Sequence, residues 1–130
     1  MTKSLPLFVA IILLFPASPV FAEVHEVVTL DAKGNVAECV DAIKKYNEIA
    51  RKVVPKNHPA IRVIQASFAG DQTGLLWMVV EYDDMADLAR TASQMEGNEE
   101  VAAIARTFGQ ACPIVSQSLG EQLYYNGGTK

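Results

Sequence analysis

After residue 22 the apolar positions of this 130-residue chain follow two rhythms, one of period two and one of period three to four. Val24 to Leu30 (VHEVVTL) is rich in β-branched residues and stops at the turn-forming run Asp31-Ala32-Lys33-Gly34-Asn35, which predicts a first strand. From Val36 the spacing becomes helical. Val36, Cys39, Val40, Ile43, Tyr46, Ala50, Val53 and Val54 form one apolar stripe. Glu38, Asp41, Lys44, Lys45, Glu48 and Lys52 fill the other face, with Asp41–Lys45 and Glu48–Lys52 in the favourable acid-first order, and read as solvated. Pro55 ends this helix.

Ile61 to Phe68 (IRVIQASF) and Leu75 to Tyr82 (LLWMVVEY) predict the second and third strands, joined by the turn-rich stretch from Ala69 to Gly74. The third strand is apolar at nearly every position up to Glu81, a pattern expected of a strand buried on both faces. Asp83 or Asp84 caps the next helix, whose stripe is Met85, Leu88, Ala89, Ala92 and Met95. Met85 and Met95 are expected to pack in the core. Gly97-Asn98 interrupts the helix, and Asn98 caps a continuation through Val101, Ile104, Ala105 and Phe108 that Gly109 closes. Pro113 introduces a fourth strand, Ile114 to Leu119, which Gln122 to Tyr125 extends after a bend at Gly120. Residues 126–130 read as a frayed tail.

The start of the chain carries a different message. Lys3 precedes the apolar run Leu7 to Phe15, Pro16 and Pro19 break it, and Val20-Phe21-Ala22 supplies small or modest residues before position 23. This is the three-part pattern of a secretory signal peptide over residues 1–22, and the run is too short for a stable membrane anchor. The domain expected to remain is 23–125, in the periplasm or outside the cell. Composition removes other classes. With 11 Lys+Arg against 15 Asp+Glu and a net charge of -4, the chain has no electrostatic footprint for nucleic acid. Two cysteines and two histidines are too few for a zinc finger or ribbon, so no metal site is expected.

The order β-α-β-β-α-β is the split arrangement of α+β, ferredoxin-like folds. It implies one four-stranded antiparallel sheet in the order 4-1-3-2 with the helices on one face. Strand four then begins where strand one ends, and the first helix starts at that same end. Cys39 and Cys112 are thereby brought together, and in an oxidising compartment they are expected to form a disulfide. Closing so long a loop contributes about 4 kcal/mol where the geometry fits. The uncovered sheet face calls for cover, most simply by a second copy of the chain in a homodimer.

The segment from Trp77 through Leu123 resembles the second half of a dimeric α/β-barrel domain of the NIPSNAP-like and antibiotic-biosynthesis-monooxygenase-like type. The resemblance rests on Trp77, the Glu81-Tyr82 strand ending and the Asp84-Met85-Ala86-Asp87-Leu88 helix opening. It rests also on the acidic break before Val101-Ala102-Ala103-Ile104-Ala105 and on the strand after Pro113. It implies a ligand pocket between sheet and helices. Related families include cofactor-free quinone-forming monooxygenases, haem-degrading enzymes and chlorite dismutases. Haem-binding relatives carry an axial histidine on a helix. Neither predicted helix here has one, so no cofactor is expected.

The candidate pocket residues are His25, Arg62, Trp77, Glu81 and Tyr82. His25 reads either as a base or ligand or as a hydrogen-bonded strand-end histidine. Arg62 and Glu81 form an ion pair across the hairpin or line the pocket, and Trp77 packs in the core or lines it. Alternation sends Trp77 and Glu81 to one face and Tyr82 to the other. His58, between Asn57 and Pro59, reads as an exposed loop residue. No nucleophile–base grouping and no glycine-rich phosphate loop is present. The expectation is an exported homodimeric α/β-barrel protein that binds a small apolar or aromatic molecule. The alternative is a cofactor-independent monooxygenase acting on an aromatic or quinone-like substrate.

Overall fold

A computed structural model describes residues 23–67 and 69–121. Its elements are β1 (Val24–Leu30), α1 (Val36–Val53), β2 (Ala60–Gln65), β3 (Leu76–Tyr82), α2 (Met85–Met95), α3 (Glu99–Ala111) and β4 (Ile114–Glu121), with a 3-10 turn at Gly70–Gln72. The leader over 1–22, Phe68, the strand extension over Gln122–Tyr125 and the tail lie outside the described residues.

Every strand pairing is antiparallel and the sheet order is β2-β3-β1-β4, as the element order requires. Period-two alternation sorts the side chains. Val24, Val28 and Leu30 of β1 and Leu76, Met78, Val80 and Tyr82 of β3 point to one face. There they bury against Cys39, Ala42 and Ile43 of α1 and Phe108 of α3. The ferredoxin-like fold with helices on one face is therefore present.

The barrel is not. The sheet is open, with β2 and β4 as its two edges, separated by β3 and β1. Closure requires the first and last strands of the sheet to hydrogen-bond to each other. This corrects the expected dimeric α/β barrel to an open four-stranded sheet. The outer face of β3 also differs from expectation. Trp77, Val79 and Glu81 are half-buried, so the strand is fully packed only toward the helices.

The helix starts follow from side-chain caps. Asn35 accepts from the Glu38 amide at 3.1 Å, Asp84 from the Asp87 amide at 2.7 Å, and Asn98 from the Val101 amide at 3.0 Å. Gly97, at φ 72, makes the left-handed turn that separates α2 from α3. Two local readings change. Gly109 lies inside α3, which runs on to Ala111 and ends at Cys112. Helix α2 turns Thr91, Leu88 and Met95 inward, leaving Ala89 and Ala92 exposed and Met85 46% exposed at the first turn. Met85 is therefore a surface residue of the first turn and not a member of the core.

Cys39, in the second turn of α1, is bonded to Cys112, the last cap residue of α3, with Cα atoms 5.2 Å apart. Both are fully buried. Beside them the Asp31 amide donates to the Pro113 carbonyl at 2.9 Å, joining the end of β1 to the start of β4. No helix among the described residues is long and apolar enough to cross a membrane. Replacing both cysteines by alanine is expected to cost about 2–5 kcal/mol, read as a lower urea midpoint under non-reducing conditions. An unchanged midpoint would show that the bridge adds nothing to the packed core.

Candidate functional site

Polar side chains on the packed face of a sheet are anomalies, and the structure gathers several of them. Glu26 has the same parity as Val24, Val28 and Leu30, so its carboxylate faces the helices. One oxygen accepts from the Tyr82 hydroxyl at 3.3 Å. The other accepts from the Gln117 amide of β4, which lies opposite Val28. Both carboxylate oxygens are thus engaged with neutral donors on neighbouring strands.

These groups border a cavity of about 240 Å³ between the sheet and the helices. Met78, Val80 and Ile61 supply the sheet wall, and Tyr46, Ala50, Met95, Ala105 and Phe108 the helix wall. The Tyr46 and Phe108 rings meet at 5.9 Å between centroids, tilted by 33°. The volume lies just below the roughly 300–1,000 Å³ of drug-sized ligand sites. A ligand of one or two rings is the size that fits.

His58 and Thr91 complete the wall. His58 Nε2 lies 2.8 Å from Asn47 Oδ1, which ties the loop after α1 back to the helix. Burial and the nearby Arg51 charge lower the His58 pKa below its ordinary 6.5, so the imidazole is neutral at neutral pH. Burial and the Glu26 charge raise both tyrosines. Tyr82 is the more strongly shifted, because its hydroxyl also donates to that carboxylate. Both remain phenols, able to donate and not to act as phenolate bases. Among the described residues no group of three or more His, Cys, Asp or Glu is placed to hold a metal ion.

Of the five candidates read from sequence, Tyr82 alone lines this cavity. His25, Arg62, Trp77 and Glu81 lie on the opposite face, because each is out of phase with the buried positions of its strand or pairs with one that is. Arg62 and Glu81 form the ion pair expected across the hairpin, and Arg62 is largely exposed. Such a surface pair is worth at most about 1 kcal/mol. Trp77 donates to Gln72 at 3.1 Å, and His25 Nε2 sits 3.7 Å from the Glu23 carboxylate. His58, read as an exposed loop residue, is half-buried and belongs to the cavity. Glu26 carried a legible signal, a carboxylate in phase with three strand residues that must be buried. His58 and Asn47 carried none, since a loop and a helix meet there only in three dimensions.

No family model matches the sequence, and no curated protein is significantly similar to it. Solved structures do match. SnoaB, a cofactor-independent oxygenase from Streptomyces nogalater, superposes with a TM-score of 0.61 at 9% identity, covering 82% of this chain and 99% of that one. An uncharacterized NIPSNAP-like domain protein from Burkholderia xenovorans gives 0.59 at 14% identity, over 85% of this chain and 91% of that one. A conserved protein from Methanosarcina mazei Go1 gives 0.51 at 12%, over 78% and 92%. What the chain shares with them is the fold.

The lowered His58 pKa has a definite sign in stability. Below pH 6.5 the unfolded chain takes up a proton that native His58 resists, so this contribution is complete above about 6.5 and is lost as pH falls through the lower native value. An NMR titration of the His58 ring protons is expected to give a midpoint below 6.5. A midpoint at or above that value would refute a neutral imidazole in the cavity wall.

Proposed function

We propose that the inner cavity binds a small, neutral, hydroxylated aromatic molecule and that the protein oxidises it with dioxygen without a cofactor. The observation that carries this reading is the apolar cavity of about 240 Å³ with a single carboxylate, Glu26, fixed in its wall. The carboxylate disfavours an anionic ligand, and the aromatic pair Tyr46 and Phe108 offers a face for a ring. The fold shared with a cofactor-independent oxygenase adds support.

In such a reaction the phenol is the only reductant. It gives up four electrons to dioxygen: one oxygen atom enters the ring as a quinone oxygen and the other leaves as water. The cavity's part is to hold the ring, keep bulk water away and leave room for dioxygen. Tyr82, kept protonated beside Glu26, supplies a fixed hydroxyl at the wall. In an oxygen electrode with 1-naphthol and chelator present, uptake is expected to equal the quinone formed. Ala105→Trp, which fills the cavity from α3, is expected to reduce the rate at least tenfold with an unchanged circular dichroism spectrum. Equal rates in the two proteins would sink the cavity as the place of reaction.

The protein works as an exported homodimer in this reading. The leader pattern of residues 1–22 and the Cys39–Cys112 bridge support export. Val27, Val79 and Trp77 on the outer sheet face, with Ile64 46% exposed beside them, support association through that face. Light scattering at micromolar concentration is expected to give twice the chain mass, and Ile64→Lys to return it to one. A monomeric mass for the unaltered protein would remove the dimer.

A further inference from the structure

Two residues of the cavity wall, Thr91 and His58, each carry a buried side-chain atom, Oγ1 and Nδ1, with no hydrogen-bond partner among the described residues. Thr91 is 3% exposed. A buried polar atom left without a partner is destabilising, so two on one cavity wall point to an occupant that satisfies them. Their neighbourhoods are tied together. The Arg90 guanidinium donates to the Asn57 carbonyl at 3.1 Å, joining α2 to the loop after α1, and Thr91 and His58 are the next residues along each.

The chemistry of the two atoms is complementary. Asn47 Oδ1 only accepts, so His58 Nε2 carries the ring proton and Nδ1 presents a lone pair. The Thr91 hydroxyl can donate. We propose that His58 Nδ1 and Thr91 Oγ1 form a recognition pair for one hydroxyl group on the aromatic ligand, which donates to His58 and accepts from Thr91. Asn47 is then a positioning residue, holding the imidazole in the tautomer that accepts. The inference rests on the reading of the cavity as a small-molecule site and adds which end of the ligand is read, and by what.

An ether analogue separates the two claims. 1-Naphthol can both donate and accept, whereas 1-methoxynaphthalene has the same rings and can only accept. Calorimetric titration of the full exported chain is expected to show 1-naphthol binding about tenfold tighter, the value of one well-made hydrogen bond. His58→Phe is expected to bring the two affinities within about twofold of each other, whereas Thr91→Val, which removes the donor that both oxygens accept from, is expected to weaken both ligands and keep the preference. Thr91→Val, which removes an orphan hydroxyl at constant shape, is also expected to leave the ligand-free urea midpoint unchanged or raised. A lowered midpoint would show that Thr91 already has a partner and would overturn the proposal. Equal binding of both naphthalenes to the unaltered protein would overturn it too, while leaving the cavity reading in place. Binding of neither would overturn both. Preference for 1-naphthylmethylamine over 1-naphthol would replace the hydroxyl site by a cation site.

Discussion

Hydrogen bonding along both edges of β1 is the constraint on which the rest of the molecule depends. Val24–Leu30 pairs over its whole length with β3 on one side and β4 on the other. This double pairing sets which residues face the helices. A one-residue slip would send Val24, Val28 and Leu30 to the outer face and carry Glu26 out of the cavity with them. The same register places Tyr82 opposite Val24 and hence diagonal to Glu26, within reach of its carboxylate. At the other end of the strand, Asp31 bonds to Pro113 next to the Cys39–Cys112 bridge. Core, site and covalent tie are all hung on seven residues.

The elements were readable because each obeys a local rule. The turn at Asp31–Asn35, the caps Asp84 and Asn98, and the break at Gly97 announce themselves by residue type alone. The disulfide followed from topology, since the connection order leaves the two cysteines at the same end of the sheet. Barrel closure was not readable, because it depends on how edge strands meet and no local pattern encodes that. The stripe of α2 departs in part from expectation for a related reason. Methionine and alanine score as apolar, yet packing against β3 favours Leu88, Thr91 and Met95, and a polar threonine took the buried place.

The site was legible only in part, and parity explains why. Aromatic and charged residues on β2 and β3 attract attention because they interrupt apolar runs. Arg62, Trp77 and Glu81 do so on the outer face, however, where an interruption costs little. Glu26 is the less conspicuous residue and the more informative one, since its parity requires a partner for each oxygen. Sequence alternation thus distinguishes two kinds of polar residue. One decorates a surface, and the other has been admitted to a core. His58 belongs to neither rhythm, being placed by Pro59, Asn47 and the contact of its loop with Arg90.

The break at Gly97 divides the helical roof of the cavity into two parts with unequal tethers. Helix α3 is held covalently at its end through Cys112, whereas α2 is held to its neighbours only by packing and hydrogen bonds. Thr91 and Met95 come from the loosely held part, and Ala105 and Phe108 from the pinned one. Changes in α2 can therefore reshape one end of the cavity without passing strain into α3 or the bridge. The fold separates a pinned frame from an adjustable panel, and descendants of such a chain could change what they recognise while keeping how they fold.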